Sequence, residues 1–312
     1  MKIVALAGGV GGAKLVDGLA GVLPPADLSV IVNTGDDFEH LGLMICPDLD
    51  TVTYTLAGLA NPDTGWGRRE ESWAFLDALR ALGGPIWFRL GDRDLALHIE
   101  RTRRLRAGEP LSAVTRTLCA ALGVEVQVLP MTDHPVQTRV LSDIGELGFQ
   151  EYFVERASEP AVRGFRFQGA DRASPAPGVM EVLRVADRII FCPSNPWVSL
   201  DPILAIPGIR AAIGGKPCIG VSPIVGGKAI RGPAAKMFGE LGIEPSCLAV
   251  AEHFRDVLTA LVIDVSDEPL AEPIARLGIQ PLVAQTVMRD RTDRLALAGE
   301  LLEFAAALER AL

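Results

Sequence analysis

Aromatic residues are scarce in this 312-residue chain, at 5%, so its core must rest mainly on Val, Leu, Ile and Ala. The four histidines (His40, His98, His134 and His253) stand far apart, and no zinc cluster, Ser–His–Asp set or Cys–His pair can be read from them. His98, at helical spacing, reads as packing or surface. The five cysteines include no CxxC pair, which leaves out a zinc knuckle and a redox motif. A scattered, odd set of thiols fits burial in a reducing compartment. Long apolar runs are missing too. The stretch from Ile3 ends in glycines after Ala7, too short for a signal h-region, and nothing else is long enough to cross a bilayer. We therefore expect a cytoplasmic protein without a membrane partner. Positive charge is also in deficit, with 30 Lys and Arg against 39 Asp and Glu, a net charge of -9. That balance argues against nucleic acid, whose binding needs several phosphates neutralised at once. It leaves room for one phosphorylated small molecule in a locally basic pocket.

What is present is an α/β rhythm. A buried-strand pattern at Ile3–Ala7 runs into glycines, a helix is predicted over 15–23, and a second buried strand follows at Leu28–Val32. Helical spacing dominates 51–59, 70–82, 94–107 and 111–122, and a strand returns at 123–130. Residues 134–163 alternate in the manner of a small antiparallel sheet. Strands resume at 188–192, 217–222, 260–264 and 280–284. A helix interrupted at Pro207 spans 202–213, and a last helix covers 294–312. The fold class expected is α/β: one Rossmann-like, doubly wound, mostly parallel sheet over 1–312. A largely helical central insertion with a small β excursion, 51–170, would cover part of the substrate site.

Loops leaving the carboxyl ends of such strands form the usual ligand crevice. Gly8-Gly9-Val10-Gly11-Gly12-Ala13-Lys14 is either a phosphate cradle at a helix N-terminus or a tight strand-to-helix turn. It is not a Walker A loop, because Ala13 and Leu15 stand where Gly and Ser/Thr belong. It fails the dinucleotide fingerprint as well, since Lys14 occupies the third glycine position. Asn33-Thr34-Gly35-Asp36-Asp37 and Cys46-Pro47-Asp48-Leu49-Asp50-Thr51 place four carboxylates in loops near one sheet edge. Hard oxygen ligands without histidines suit Mg²⁺, which takes one or two carboxylates plus substrate phosphates. The alternatives are an Asx-turn at Asp36 and a helix cap at Asp50. In Trp87-Phe88-Arg89-Leu90-Gly91-Asp92-Arg93-Asp94, either Arg89 and Arg93 bind an anion or the stretch is a capped helix start with a local Arg–Asp pair. Pro193-Ser194-Asn195-Pro196 and the loop from Ser222 to Lys228 would close the pocket from two further sides.

Read in order, these stretches resemble the 2-phospho-L-lactate transferase family (CofD/FbiA type) of coenzyme F-420 biosynthesis. The residues that carry the resemblance are GGVGGAKL (8–15), NTGDD (33–37), CPDLDT (46–51), LGDRDLALH (90–98), LPMTD (129–133), PSNPWVSLDPIL (193–204) and SPIVGGKAIRGPAAKM (222–237). The resemblance implies a Mg²⁺-dependent transfer of a phospho-acid from a guanosine-diphospho donor to the ribityl hydroxyl of the deazaflavin alcohol Fo, with release of GMP. The phospho-acid would be 2-phospho-L-lactate, or its phosphoenolpyruvate or 3-phosphoglycerate counterpart. It further implies that Asp36 and Asp50 hold the metal and serve catalysis, with Asp37 and Asp48 as helpers. Asp50, Arg89 and Asp92 would face Fo. Gly9, Gly11, Gly12, Lys14, Ser194, Asn195 and Ser222 would face the guanosine-phosphate donor. A homodimer is implied as well. A less similar family, of UDP-sugar-binding regulators of cell-wall metabolism, shares mainly the glycine-loop core. CPDLDT and LGDRD favour the transferase.

Overall fold

The computed structural model of the protein describes residues 1–230 and 232–308. Its centre is a seven-stranded sheet in which every pairing is parallel. The first strand, β1 (Ile3–Ala7), is apolar and buried throughout, as a strand covered by helices on both faces must be. It pairs on one side with β2 (Leu28–Val32) and on the other with strand Arg188–Phe191. From β2 the sheet ends at Gln127–Pro130. Beyond Arg188–Phe191 it continues through Cys218–Val221 and Ala260–Asp264 to Gln280–Ala284. The chain thus winds outward from β1 in one direction, then returns and winds outward in the other. The loops after β1 and after Arg188–Phe191 therefore part from each other, and a crevice opens between them at the carboxyl edge.

One face of the sheet is covered by helix α1 (Gly9–Val22), α2 (Pro47–Leu56) and the C-terminal helix Arg291–Leu308, with Leu15, Leu19, Leu49, Val52 and Leu301 in a common core. The opposite face buries Phe191, Trp197, Phe238 and Phe254 among Ile and Leu side chains. Between α2 and strand Gln127–Pro130 lie α3 (Ala74–Ala81), α4 (Asp92–Arg106) and α5 (Leu111–Ala121). After that strand, Gln137–Ser142 is flanked by Gly145–Gly148 and Val162–Gln168 in a separate antiparallel sheet. Segment 51–170 therefore passes through the main sheet once, at Gln127–Pro130, before leaving it again.

Helix starts differ most from expectation. α1 begins at Gly9, not 15, and α2 at Pro47, not 51, so Asp48 and Asp50 lie in a first helical turn and not in a loop. Proline suits N1, where its missing N–H goes unused, and acidic side chains are favoured next to the positive end of the helix. The interruption at Pro207 separates Asp201–Leu204 from Ile209–Ile213. The C-terminal helix is described to Leu308, and the predicted positions 309–312 lie outside the described residues, as does Arg231. Among the described residues, no helix is long and apolar enough to cross a membrane.

Candidate active site

The crevice is a cleft of about 790 Å³, within the range of small-molecule sites. One end is the junction of the two diverging loops. The Gly8 N–H donates to Ser194 Oγ at 3.2 Å, and the Ser194 hydroxyl donates back to the Gly8 carbonyl at 2.8 Å. A Cβ on Gly11 would stand 2.3 Å from the Pro193 carbonyl oxygen, so only glycine lets these backbones meet. Gly9, at φ +63°, lines the cleft, and its N–H donates to Asp48 Oδ1 at 2.7 Å. Gly12 is not part of the cleft wall: it packs against Ala7 and Ser194. Lys14 does line the cleft, with its ammonium donating to the Met288 carbonyl at 2.6 Å. Asn195 and Ser222 also form part of the wall, but their side chains serve local turns. Asn195 Oδ1 accepts from the Trp197 N–H, and the Ser222 hydroxyl donates to the Ile224 carbonyl.

The carboxylates occupy the middle. Asn33 ties β2 to α2: its amide donates to Asp48 Oδ2 at 2.9 Å and to the Val198 carbonyl at 3.1 Å. Asp36, at 5% exposure, has one carboxylate oxygen buried without a partner. Burial, and then the charge of Asp48, raise its proton affinity well above the usual carboxylate range. Burial pushes Asp48 up to about 6. Asp37 is also raised by burial, but it lines a smaller neighbouring cavity of about 240 Å³ that shares Asp36 with the cleft. Asp50 is in the cleft wall, yet both its oxygens are gripped by the buried guanidinium of Arg101.

Among the described residues no three His, Cys, Asp or Glu side chains converge to hold a metal by themselves. A Mg²⁺ that relies on substrate phosphates needs fewer protein ligands. Asp36 and Asp48, buried and mutually unfavourable without a cation, fit that requirement. Asp50 shares this stretch of the wall, with Arg101 on both its oxygens as Gly9 and Asn33 are on those of Asp48.

The other end of the cleft is walled by aromatic rings drawn from a chain that has few. Trp87 and Phe88 pack edge-to-face 5.6 Å apart, and Phe149 stacks on Phe153 at 5.5 Å with ring planes 9° from parallel. Arg89 is exposed at this end, its guanidinium 4.3 Å above the Trp73 ring. Asp92, expected beside it, is not in the wall. Its carboxylate accepts from the Ser72 hydroxyl and from the Ala74 and Phe75 N–H groups, capping α3. Glu71 returns the service to α4 by accepting from the Arg93 and Asp94 N–H groups. These reciprocal caps fix the angle between two helices that support the aromatic end.

The family model for 2-phospho-L-lactate transferase CofD matches residues 3–292. The chain belongs to the CofD family. Among its relatives in the family, a phosphoenolpyruvate transferase of Streptomyces griseus is 46% identical over 98% of each chain. A phosphoenolpyruvate transferase of Thermobifida fusca is 43% identical over 99% of each. A 2-phospho-L-lactate transferase of Methanopyrus kandleri is 40% identical over 97% of each. In fold alone, the CofD-family chain is similar to a crystal structure of a UPF0052-family protein from Bacillus halodurans. That likeness has a TM-score of 0.62 at 14% identity and covers 96% of this chain and 98% of that one. Family membership makes the protein a transferase.

Tyr54 and Arg101 were not singled out from the sequence, Asp94 was read there only within a capped helix start, and His98 was read as packing or surface, whereas Tyr54, Asp94 and His98 line the cleft. The Tyr54 hydroxyl donates to Asp94 Oδ1 at 2.6 Å, and His98 Nε2 lies 3.3 Å from the same oxygen. His98 Nδ1 lies 3.2 Å from Arg101 Nη1, and Arg101 grips Asp50. Asp94, His98 and Arg101 recur at i, i+4 and i+7, one face of α4, and that spacing was the available signal.

Proposed function

We propose that the protein transfers a phospho-acid group from a guanosine-diphospho donor to the ribityl hydroxyl of Fo, releasing GMP and forming F-420-0 or its dehydro form. The observation that carries this reading is one continuous cleft with a glycine junction at one end, an aromatic wall with Arg89 at the other, and buried carboxylates between. Backbone N–H groups at the start of α1 suit a nucleotide's phosphates. The rings suit a flat heterocycle, and Arg89 suits its polar edge. Relatives at 46–47% identity bear the phosphoenolpyruvate name and two at 40% the lactate name, which favours phosphoenolpyruvate as the acid carried.

In this mechanism Asp36 and Asp48 would hold Mg²⁺, which when bound supplies positive charge against the donor's diphosphate. Asp50 accepts a hydrogen bond from the attacking hydroxyl and takes its proton as the new O–P bond forms. The bond between that phosphorus and the bridging oxygen breaks, and GMP leaves with the electron pair. Little covalent work falls to the protein, since phosphoryl-type transfer depends mostly on alignment and charge neutralisation. CofD-family membership favours this enzyme over a non-catalytic UDP-sugar-binding regulator. The test is a panel of guanylylated phospho-acids incubated with Fo and Mg²⁺, with products identified by mass spectrometry. The phosphoenolpyruvate donor is expected to give GMP and dehydro-F-420-0 in equal amounts, and Asp36→Asn to remove turnover while the protein stays folded. GMP release that does not depend on Fo, or tight UDP-sugar binding with no product from any donor, overturns the proposal.

A further inference from the structure

We propose that Arg101 is a positioning residue for the transfer, acting through Asp50 and never touching substrate. The inference rests on the reading of Asp50 as the group that receives the attacking hydroxyl. Arg101 sits on α4, is 3% exposed, and is absent from the cleft wall, whereas Asp50 is part of that wall. Its Nη1 donates to Asp50 Oδ2 at 3.0 Å and its Nη2 to Asp50 Oδ1. A two-pronged grip of this kind fixes the carboxylate plane, which a single point charge does not. Each oxygen keeps a second lone pair, and those are the pairs left for a hydroxyl in the cleft.

The guanidinium is itself held from behind. Nη1 donates to the Met44 carbonyl at 3.4 Å and lies 3.2 Å from His98 Nδ1. On the other side of the ring, His98 Nε2 faces Asp94 Oδ1 at 3.3 Å without making a hydrogen bond to it. Tyr54, two turns along α2 from Pro47, donates to that same Asp94 oxygen at 2.6 Å. The chain of contacts runs from α2 through α4 and back to α2, so the direction of Asp50 is set by the packing of two helices. A buried ion pair is poor value as a stabiliser compared with apolar packing. One that ends on a carboxylate in a cleft has a positional use, because errors of about 1 Å in a reacting group cost on the order of a hundredfold in rate.

The experiment compares Arg101→Lys, Asp50→Asn and the double variant in the full-length protein, with Fo, Mg²⁺ and the phosphoenolpyruvate donor. Arg101→Lys keeps the charge and loses the two-pronged grip. It is expected to lower kcat roughly 30- to 100-fold with both KM values within about twofold of wild type. In the double variant it should add almost nothing to the loss caused by Asp50→Asn, since the two act as a unit. If Arg101→Lys keeps wild-type kcat while Asp50→Asn loses it, the positioning role is overturned and the reading of Asp50 stands. If Asp50→Asn keeps turnover, the reading of Asp50 fails and this inference goes with it. A fall in melting temperature with both KM values raised overturns the inference in favour of a purely structural pair. Should Arg101→Lys fail to fold, His98→Leu takes its place, because it removes the buried ring nitrogen that lies 3.2 Å from Arg101 Nη1. A lower kcat at unchanged KM then supports the inference, and an unchanged kcat overturns it.

Discussion

Gly9 and Gly11 stand two positions apart in the same turn and need to be glycine for different reasons, so substituting each with alanine separates strain from collision. At Gly9 the φ of +63° is costly for an L residue, but an added Cβ would meet no atom within 4 Å. The expected destabilisation is that of one left-handed residue, about 1–2 kcal/mol. At Gly11 the added Cβ would lie 2.3 Å from the Pro193 carbonyl oxygen, a backbone atom that no rotamer change can move. Relief requires the two loops at the crevice to part, a cost at or beyond the upper end of overpacking, about 3 kcal/mol. For 312 residues, an unfolding entropy of about 2.1 cal/mol/K per residue converts each 1 kcal/mol into about 1.5 °C of melting temperature. Scanning calorimetry should then show a fall of about 2–3 °C for Gly9→Ala and about 5 °C for Gly11→Ala. Only Gly11→Ala parts the loops, so it should also raise the KM of the donor, by about tenfold or more. A Gly11→Ala protein that melts with wild type, or above Gly9→Ala, refutes the claim that backbone contact across the crevice holds the site together.

Raised proton affinity at Asp36 and Asp48 means that the folded chain retains protons which the unfolded chain has lost above about pH 4. Stability without metal should therefore fall as pH rises from about 4 through about 6, by up to roughly 3 kcal/mol for Asp48 alone. Mg²⁺ should raise the melting temperature more at neutral pH than at about pH 5, and equal effects at both would count against these two as ligands. Arg89→Ala should raise the KM for Fo on the order of tenfold with the donor's KM unchanged. Asp92→Ala, by contrast, should lower the melting temperature and leave both KM values alone, since its carboxylate caps α3. A large change in the KM for Fo with Asp92→Ala would return that residue to the binding wall.

Periodic segments were the legible part of the fold. The uninterrupted apolar runs of the two central strands, the break at Pro207 and the strands Gln137–Ser142 and Gly145–Gly148 inside the stretch 134–163 all carry their conformation in local pattern. Helix starts were less legible, because α1 and α2 begin where glycines and a proline permit it, and the decisive contacts come from Ser194 and Asn33, far along the chain or on another element. In the site, the glycine turn, the aspartates and Arg89 stood out by residue type. Asp92, at the head of one helix, caps another helix, and no spacing reveals that.

The sequence by itself determined the α/β class, the family and the set of polar residues near one sheet edge, since these follow from period, punctuation and ordered motifs. Only the tertiary structure decided what each carboxylate meets. It left Asp36 with an unpartnered oxygen and gave Asp50 to Arg101, a residue fifty-one positions away. The physical reason is that an ionisable group takes its properties from the atoms that surround it in space, and chain order does not specify those until the helices have packed.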